Sequence, residues 1–117
     1  MGDHKIYNVT MIINPERLSE LISALQKIGV RGMMVTHIEG CGAELGAVSA
    51  SGGSERDVCL LPKTKVEVIG SQIPVGVVID TAKNVLHTGH IGDGKIFVYD
   101  VEKVYRVRTG EPDYDAL

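Results

Sequence analysis

The sequence has no stretch typical of a membrane or export segment. No apolar run approaches the ~20 residues that span a bilayer, and the opening MGDHKIYNVT contains no apolar secretory core. Only two cysteines occur, Cys41 and Cys59, and in a reducing compartment they are expected to be free thiols rather than a disulfide. We therefore expect a cytoplasmic protein with no direct membrane insertion.

An excess of basic residues is also missing. The formal net charge is -3 at pH 7 and the pI is near 5.7, whereas proteins that bind nucleic acid broadly carry a basic balance or a basic face. At 117 residues the chain is too short for two cores, so residues 1–117 are expected to form one domain without a nucleic-acid partner. Any anion site must be local.

No complete catalytic motif can be assembled. Gly89, Gly94 and Lys95 make most of a Walker A loop, but Ile96 stands where Ser or Thr is required. The residues that follow, KIFVYDVEKVYRV, are typical of a strand rather than of the helix that a Walker A loop needs. No Ser-His-Asp or Cys-His arrangement is present, and Asp93 is as easily a turn residue as a base. The sequence therefore does not favour an enzyme.

Metal-ligand patterns are incomplete as well. His37, Glu39 and Cys41 alternate along a predicted strand, and His87 and His90 are three residues apart at a predicted helix end. Neither group has the full ligand set of a zinc site, so structural roles are the better interpretation.

The sequence does contain two strand-helix-strand units. KIYNVTMII predicts a strand, after which Asn14 and Pro15 supply an N-cap and a first-turn proline. Apolar residues then recur at helical spacing, and Gly29 is placed to end the helix. These apolar residues are Leu18, Leu21, Ile22, Leu25 and Ile28. GMMVTHIEG predicts the second strand.

The second unit repeats this order. VCLLPKTKVEVIG predicts a third strand in which Pro62 suggests an edge or a bulge, IPVGVVIDTAKNVLH a second helix, and KIFVYDVEKVYRVR the last strand. Such a doubled βαβ order predicts an α+β, ferredoxin-like fold with both helices on one face of an antiparallel sheet. Apolar residues at both parities of the strands favour burial of the other face by another subunit. We expect an oligomer.

Between the two units lies CGAELGAVSASGGSERD, residues 41–57, which is small, polar and without apolar periodicity. Loops of this length in a compact domain are uncommon and are often functional.

The glycine-rich corner from Gly89 to Lys95 is a candidate anion site. Its amides can form a concave donor nest, Lys95 begins the predicted strand beside it, and Arg106 and Arg108 lie two residues apart on that strand. A solvated strand end explains these residues equally well. Lys63, Lys65 and Glu67 share one side of the third strand, and an exposed polar face is their simpler interpretation.

Nearly the whole chain resembles the PII signal-transduction family. The segments TGHIGDGKIFVYDV and RVRTGEPDYDAL are similar to its second signature and C-terminal loop (residues 108–117 here). The segment IINPERLSELISALQKIGVRGMMVTHIEGCG is similar to its opening strand, helix and strand, and LLPKTKVEVI is similar to its third strand. The resemblance implies a homotrimer with ATP or ADP in each cleft between subunits. It also implies a non-catalytic regulator of nitrogen or related metabolism.

The resemblance also implies site residues. Those that would hold the phosphates are Gly92, Asp93, Gly94 and Lys95, joined by Arg106 and Arg108 from the adjacent chain. Those that would line the nucleotide pocket are Gly42, Glu67 and Ile69, with Met34 from the neighbouring chain.

The implied effector site departs from the family pattern. Lys63 matches the lysine that pairs with a carboxylate of 2-oxoglutarate, but Glu44 replaces the glutamine that helps to bind magnesium and this metabolite. Ala43 replaces a basic residue that often touches phosphate. Glu44 could still ligate Mg²⁺ through its carboxylate. We expect weak binding of 2-oxoglutarate, or a different small metabolite as effector.

The long loop departs as well. In SGGSER, Arg56 replaces the uridylylated tyrosine and Gly52 the arginine that plugs an ammonium channel in some members, whereas Ser54 matches a serine phosphorylated in others. Residues 41–57 are expected to dock on a protein target, with an ammonium transporter or a metabolic enzyme as the candidates. The alternative functions are a weak nucleotide hydrolase, with Asp93 and Glu44 as its candidate groups, and a trimeric interaction module that binds no nucleotide.

Overall fold

The computed structural model describes residues 5–41 and 60–117, which form four strands and two α-helices. These elements are β1 (Tyr7–Ile13), α1 (Leu18–Lys27), β2 (Met34–Gly40), β3 (Leu61–Gly70), α2 (Val75–Leu86) and β4 (Lys95–Asp100). A short 3-10 helix, Pro15–Arg17, precedes α1, and a second, Asp113–Ala116, lies after β4. Neither α-helix is long and apolar enough to cross a membrane.

The four strands form one sheet in the order β2-β3-β1-β4, and every neighbouring pair is antiparallel. Since β1 and β2 both run antiparallel to β3, they are parallel to each other, and the same holds for β3 and β4 on either side of β1. Each helix therefore connects two parallel strands that are separated by a third. This topology confirms the predicted ferredoxin-like fold.

The core lies between the sheet and the two helices. Alternate residues of β1, Val9, Met11 and Ile13, are fully buried, and they pack with Leu21 of α1 and Val78 of α2. The buried residues of these elements recur every two positions along the strand and every four along each helix, as the sequence predicts. It places both helices on one face of the sheet.

The opposite face of the sheet, which we call the open face, carries large apolar side chains at the surface. Met34, Phe97 and Tyr99 are 48%, 41% and 54% exposed. Phe97 pairs with Thr10 of β1, and Thr10 alternates with the buried Val9 and Met11, so Phe97 projects away from the helices. This face is apolar enough to favour contact with another subunit.

The last strand is shorter than predicted. β4 ends at Asp100, and the prediction of a strand continuing to Arg108 is wrong. The reason is its partner: Tyr7, the first residue of β1, pairs with Asp100, and only one further bond, from the Val101 amide to the Ile6 carbonyl at 2.8 Å, extends the ladder. Without a neighbouring strand the next residues cannot continue it.

The chain after β4 folds into a tight hairpin instead. Tyr105 bridges to Pro112, and the Arg106 amide donates to the Glu111 carbonyl at 2.8 Å. Arg106 and Arg108 consequently do not project from one face of a strand, as their spacing predicted. Arg108 lies in the turn at the tip of this hairpin.

Pro62 lies near the start of β3, where it pairs with Glu39 of β2. The ladder between β3 and β1 begins only at Thr64, so Pro62 has a neighbouring strand on one side alone. This position agrees with the prediction that Pro62 marks an edge, because proline lacks the amide that a central strand needs on both sides.

Candidate functional site

The segment Thr88–Gly94, which we call the glycine loop, connects α2 to β4. Three of its residues, Gly89, Gly92 and Gly94, have φ angles of 86°, 105° and 107°. Gly94 is also constrained by its surroundings, because a Cβ atom there would lie 1.9 Å from the carbonyl oxygen of Ile12 in β1. Glycine thus lets the loop enter β4 directly against the end of β1.

The carboxylate of Asp93 organises the glycine loop from within. It accepts hydrogen bonds from the amide of Thr88 at 2.7 Å, from the amide of Gly89 at 3.0 Å and from the Thr88 hydroxyl. These bonds, led by the one from the Thr88 hydroxyl and reinforced by His87 nearby, lower the pKa of Asp93 to about 2. Asp93 is therefore an ionised turn residue and a very weak base.

Two residues outside the loop hold its central peptide. The Asn14 side-chain amide donates to the carbonyl oxygen of Gly92 at 2.9 Å. The ammonium of Lys63 donates to Asn14 Oδ1 at 2.6 Å and to the same Gly92 carbonyl at 3.3 Å. One expectation is corrected here: Lys63 is 7% exposed and does not lie on a solvated polar face. Asn14 holds the predicted N-cap position, but its side chain makes no cap bond.

The other described residues that the resemblance assigns to the nucleotide pocket lie on the open face. Glu67 of β3 pairs with Thr10 of β1 and with Met34 of β2. Lys95 of β4 pairs with Ile12, two residues further along β1 and on the same face. Ile69 follows Glu67 on the same side of β3. The strand register therefore collects Met34, Glu67, Ile69 and Lys95 on the face opposite the helices.

Polar contacts fix Glu67 within this face. Its Oε2 accepts from the Asn8 side-chain amide at 3.2 Å, its Oε1 lies 4.0 Å from Lys65 Nζ, and the Thr10 hydroxyl donates to Asn8 Oδ1 at 2.9 Å. Glu67 thus has a defined orientation before any ligand binds.

On its helix side the glycine loop borders a cleft of about 580 Å³. Lys83 of α2, His87 directly after it, and Ile96 and Val98 of β4 line the cleft, and Asp93, Gly94 and Lys95 form its border with the loop. The loop is therefore accessible from the helix side of the sheet.

The two arginines lie at the other end of the domain. Arg106 pairs with Glu111, Nη1 to Oε1 at 3.1 Å, and donates to the carbonyl of Leu117 at 3.3 Å. Lys95 begins β4, whereas these arginines follow its last residue, and a strand of six residues separates its ends by about 17 Å. Within one chain, the structure does not bring Arg106 and Arg108 to the glycine loop.

Some predicted site residues fall outside the described ranges. These are Gly42, Glu44 and Ser54, together with the rest of the 41–57 loop after Cys41. Among the residues that are described, no group of three or more His, Cys, Asp or Glu side chains could hold a metal ion. His37, Glu39 and Cys41 therefore do not form one, and Cys41 is an exposed free thiol.

Sequence reasoning missed two residues of this site. Thr88 supplies two of the donors to Asp93, and the five-residue separation of a threonine and an aspartate across a glycine turn is a signal that could have identified it. The sequence around Asn14 indicated only a helix cap, because the residues that its side chain contacts, Lys63 and Gly92, are 49 and 78 residues away in sequence.

The fold and the loop define a ferredoxin-like domain with a glycine-rich loop ahead of its last strand, and comparisons with known proteins then give the family. The sequence model described as Nitrogen regulatory protein P-II matches residues 6–111. Nitrogen regulatory protein P-II of Rhizobium meliloti (strain 1021) is 44% identical over 109 residues, which cover 93% of this chain and 97% of the relative. The chain belongs to the nitrogen regulatory protein P-II family.

Solved structures agree. The structure of a B. subtilis GlnK-ATP complex matches with a TM-score of 0.79 at 33% identity, covering 97% of this chain and 96% of that one. Arabidopsis thaliana PII bound to citrate matches with a TM-score of 0.77 at 37% identity, covering 100% and 96%. These matches confirm the predicted resemblance and the fold. The relatives are named as regulatory proteins, which agrees with the prediction of a regulator.

Proposed function

We propose that this protein is a P-II-type regulator that binds ATP or ADP at the glycine loop and signals nucleotide state to a protein target. The observation that carries the proposal is the loop itself: the ionised carboxylate of Asp93 is held by donors of its own loop, which leaves the amides around Gly92 and the ammonium of Lys95 to face an anion. The GlnK-ATP complex of B. subtilis, with the same fold, supports adenine nucleotide as that anion. Mg²⁺ would accompany the phosphates.

The proposal includes a homotrimer with the nucleotide between subunits. Met34, Phe97 and Tyr99 give the open face an apolar surface that other subunits would cover. Arg106 and Arg108 lie beyond the opposite end of β4 from Lys95, so a neighbouring subunit would supply them to the phosphates. Arg106 would then exchange Glu111 for a phosphate oxygen.

Lys95→Ala tests the nucleotide site. We expect affinity for ATP and for ADP to fall at least tenfold, because a hydrogen bond to a charged group contributes on the order of 1.5 to 3 kcal/mol. Titration calorimetry measures the affinity and light scattering the oligomeric state. Lys27→Ala, on the exposed last turn of α1, is the matched control. Unchanged affinity in a variant that is still trimeric would rule out this role of Lys95.

2-Oxoglutarate is expected to bind weakly or not at all, despite the presence of Lys63. Glu44 would place a carboxylate beside a dianionic ligand, and at ~4 Å two like charges repel by about 4 kcal/mol at an effective dielectric of 20. Half of that repulsion lowers affinity more than tenfold. The ammonium of Lys63 already donates to Asn14 and to Gly92, so a ligand carboxylate would compete with these two acceptors.

Calorimetry with saturating Mg-ATP measures this binding directly. Glu44→Gln should strengthen binding of 2-oxoglutarate, because the amide removes the negative charge and keeps the shape of the side chain. Micromolar binding to the wild type would contradict the expectation, and another small metabolite would then be unnecessary as the effector.

We place the protein in the cytoplasm and assign docking on the target to residues 41–57, with an ammonium transporter or a metabolic enzyme as the candidate partner. This loop has no tyrosine, so uridylylation is not expected, and Ser54 is its candidate phosphorylation site. A slow nucleotide hydrolase is the rival function, and an ATP turnover assay separates the two. Asp93 is a poor candidate base for hydrolysis, because its pKa is about 2.

A further inference from the structure

Asn14 joins two segments of the chain that are distant in sequence. It follows β1 with an extended backbone, φ -71° and ψ 137°, and its side chain lies between β3 and the glycine loop. Its Nδ2 donates to the Gly92 carbonyl at 2.9 Å, and its Oδ1 accepts from Lys63 Nζ at 2.6 Å. Lys63 Nζ also lies 3.3 Å from the Gly92 carbonyl, which closes a triangle of hydrogen bonds.

The chemistry of each member suits this triangle. A carboxamide offers one acceptor and one donor side by side, so Asn14 can receive the ammonium and bind the carbonyl at the same time. Lys63 is 7% exposed, and a buried ammonium requires acceptors within reach. The Gly92 carbonyl accepts from both side chains, which uses its two lone pairs.

The contact at Gly92 fixes more than one atom of the loop. The Gly92 carbonyl and the Asp93 amide belong to one rigid peptide plane, and the Asp93 amide donates to the His90 carbonyl at 3.4 Å. Gly92 has a φ of 105° and no side chain to hold it, so the orientation of this plane depends on its hydrogen bonds. Gly94 and Lys95 follow directly.

We propose that Asn14 is a positioning residue of the nucleotide site. It does not touch the nucleotide; it holds the ammonium of Lys63 against the Gly92 carbonyl and so sets the peptide plane that precedes Gly94 and Lys95. The inference rests on the proposed nucleotide function and extends it. It gives Lys63 an internal role in this chain, which is to order the glycine loop.

Two variants of Asn14 separate its contacts. Asn14→Asp has the same shape and still accepts from Lys63, but it cannot donate to Gly92 and sets a carboxylate against that carbonyl. Asn14→Ala loses both contacts. We expect each variant to bind ATP about tenfold more weakly, and Asn14→Asp to keep the melting temperature of the wild type, because its pair with Lys63 is retained.

The experiment combines three measurements on the full chain: ATP affinity by calorimetry, thermal unfolding, and amide hydrogen exchange of residues 88–95 without nucleotide. Gln26→Ala, on an exposed position of α1, is the control for loss of a side-chain amide. Faster exchange confined to residues 88–95, with weaker ATP binding and unchanged unfolding of Asn14→Asp, is the result that a purely structural role would not produce.

Three other results would overturn the inference in distinguishable ways. Equal ATP affinity of the wild type and both variants would refute the positioning role of Asn14 but not the proposed nucleotide function. This holds whether or not amide hydrogen exchange of the loop changes. Weaker binding that tracks a lowered melting temperature in both variants, with faster exchange throughout the domain, would reduce Asn14 to a general stabilising residue. Absence of ATP binding by the wild type would refute the proposed function first, and this positioning role with it.

Discussion

Gly94→Ala is expected to destabilise the fold by about 3 kcal/mol or more. The new Cβ would lie 1.9 Å from the backbone carbonyl oxygen of Ile12, and no rotamer change can relieve a contact between Cβ and backbone. The backbone at Gly94 has a φ of 107°, which L residues rarely adopt. Since Ile12 pairs with Lys95, the chain can relieve the clash only by moving the start of β4 away from β1.

Gly89→Ala is the matched control for this variant. Its φ of 86° is also positive, but nothing lies within 4 Å of its added Cβ, so it measures the conformational cost alone, about 1 kcal/mol. Thermal and denaturant unfolding at one protein concentration give the two values, because the stability of the proposed trimer would depend on concentration. Equal destabilisation by both variants would show that Gly94 does not approach β1 as closely as described.

Local patterns in the sequence predicted most of the fold because each of them has a local physical cause. Leu21 and Leu25 recur at helical spacing and are both fully buried on α1. Gly29, placed to end that helix, has a φ of 102°, the conformation that glycine adopts at helix ends. The order of elements then leaves few topologies, and the doubled βαβ arrangement is among them.

The length of β4 was beyond local reasoning. The residues from Val101 to Val107 have strand-like composition, but a strand also needs a neighbour with free hydrogen-bonding groups. β1 begins at Tyr7, and its register against β4 makes Asp100 the last paired residue. Strand propensity is therefore a preference that pairing can override, and here it misplaced Arg106 and Arg108.

The candidate site was predictable in part. The glycines and Lys95 are visible as a motif, but the exposure of Lys63 depends on Asn14 and Gly92, which approach it only in the folded chain. The sequence predicted a helix cap at Asn14, and Asn14 does hold that position, but its side chain makes tertiary contacts instead of a cap bond. The sequence also left two roles open for Asp93, and the hydrogen bonds from Thr88 and Gly89 favour the turn role.

Asp93→Ala is expected to lower ATP affinity about a hundredfold, which is more than the loss from Lys95→Ala. Lys95→Ala removes one donor from an ordered loop. Asp93→Ala frees the amides of Thr88 and Gly89 together with the Thr88 hydroxyl, so the whole loop loses its order before binding. Glycines have the most conformational freedom to lose, and nucleotide binding would have to order them again.

Asp93→Asn is the graded control, because its remaining carboxamide oxygen can still accept from Thr88 but carries no charge. We expect its ATP affinity to lie between those of the wild type and Asp93→Ala, with calorimetry showing a less favourable entropy of binding in the order of lost contacts. An Asp93→Ala variant that binds ATP as well as Lys95→Ala does would contradict the idea that Asp93 orders the loop.

Dependence on pH gives a second, ligand-free check of Asp93. Its pKa in the folded protein, about 2, lies below the ordinary value of 3.8, so its ionised form stabilises the fold above pH ~4, and this stabilisation is lost as pH falls through 2. The difference in free energy of unfolding between wild type and Asp93→Asn should therefore shrink as pH falls from ~4 to ~2. Denaturant unfolding over that range measures it. A difference that does not change with pH would mean that the pKa of Asp93 is the same in the folded and unfolded chains, and that the bonds from Thr88 and Gly89 do not favour its ionised form.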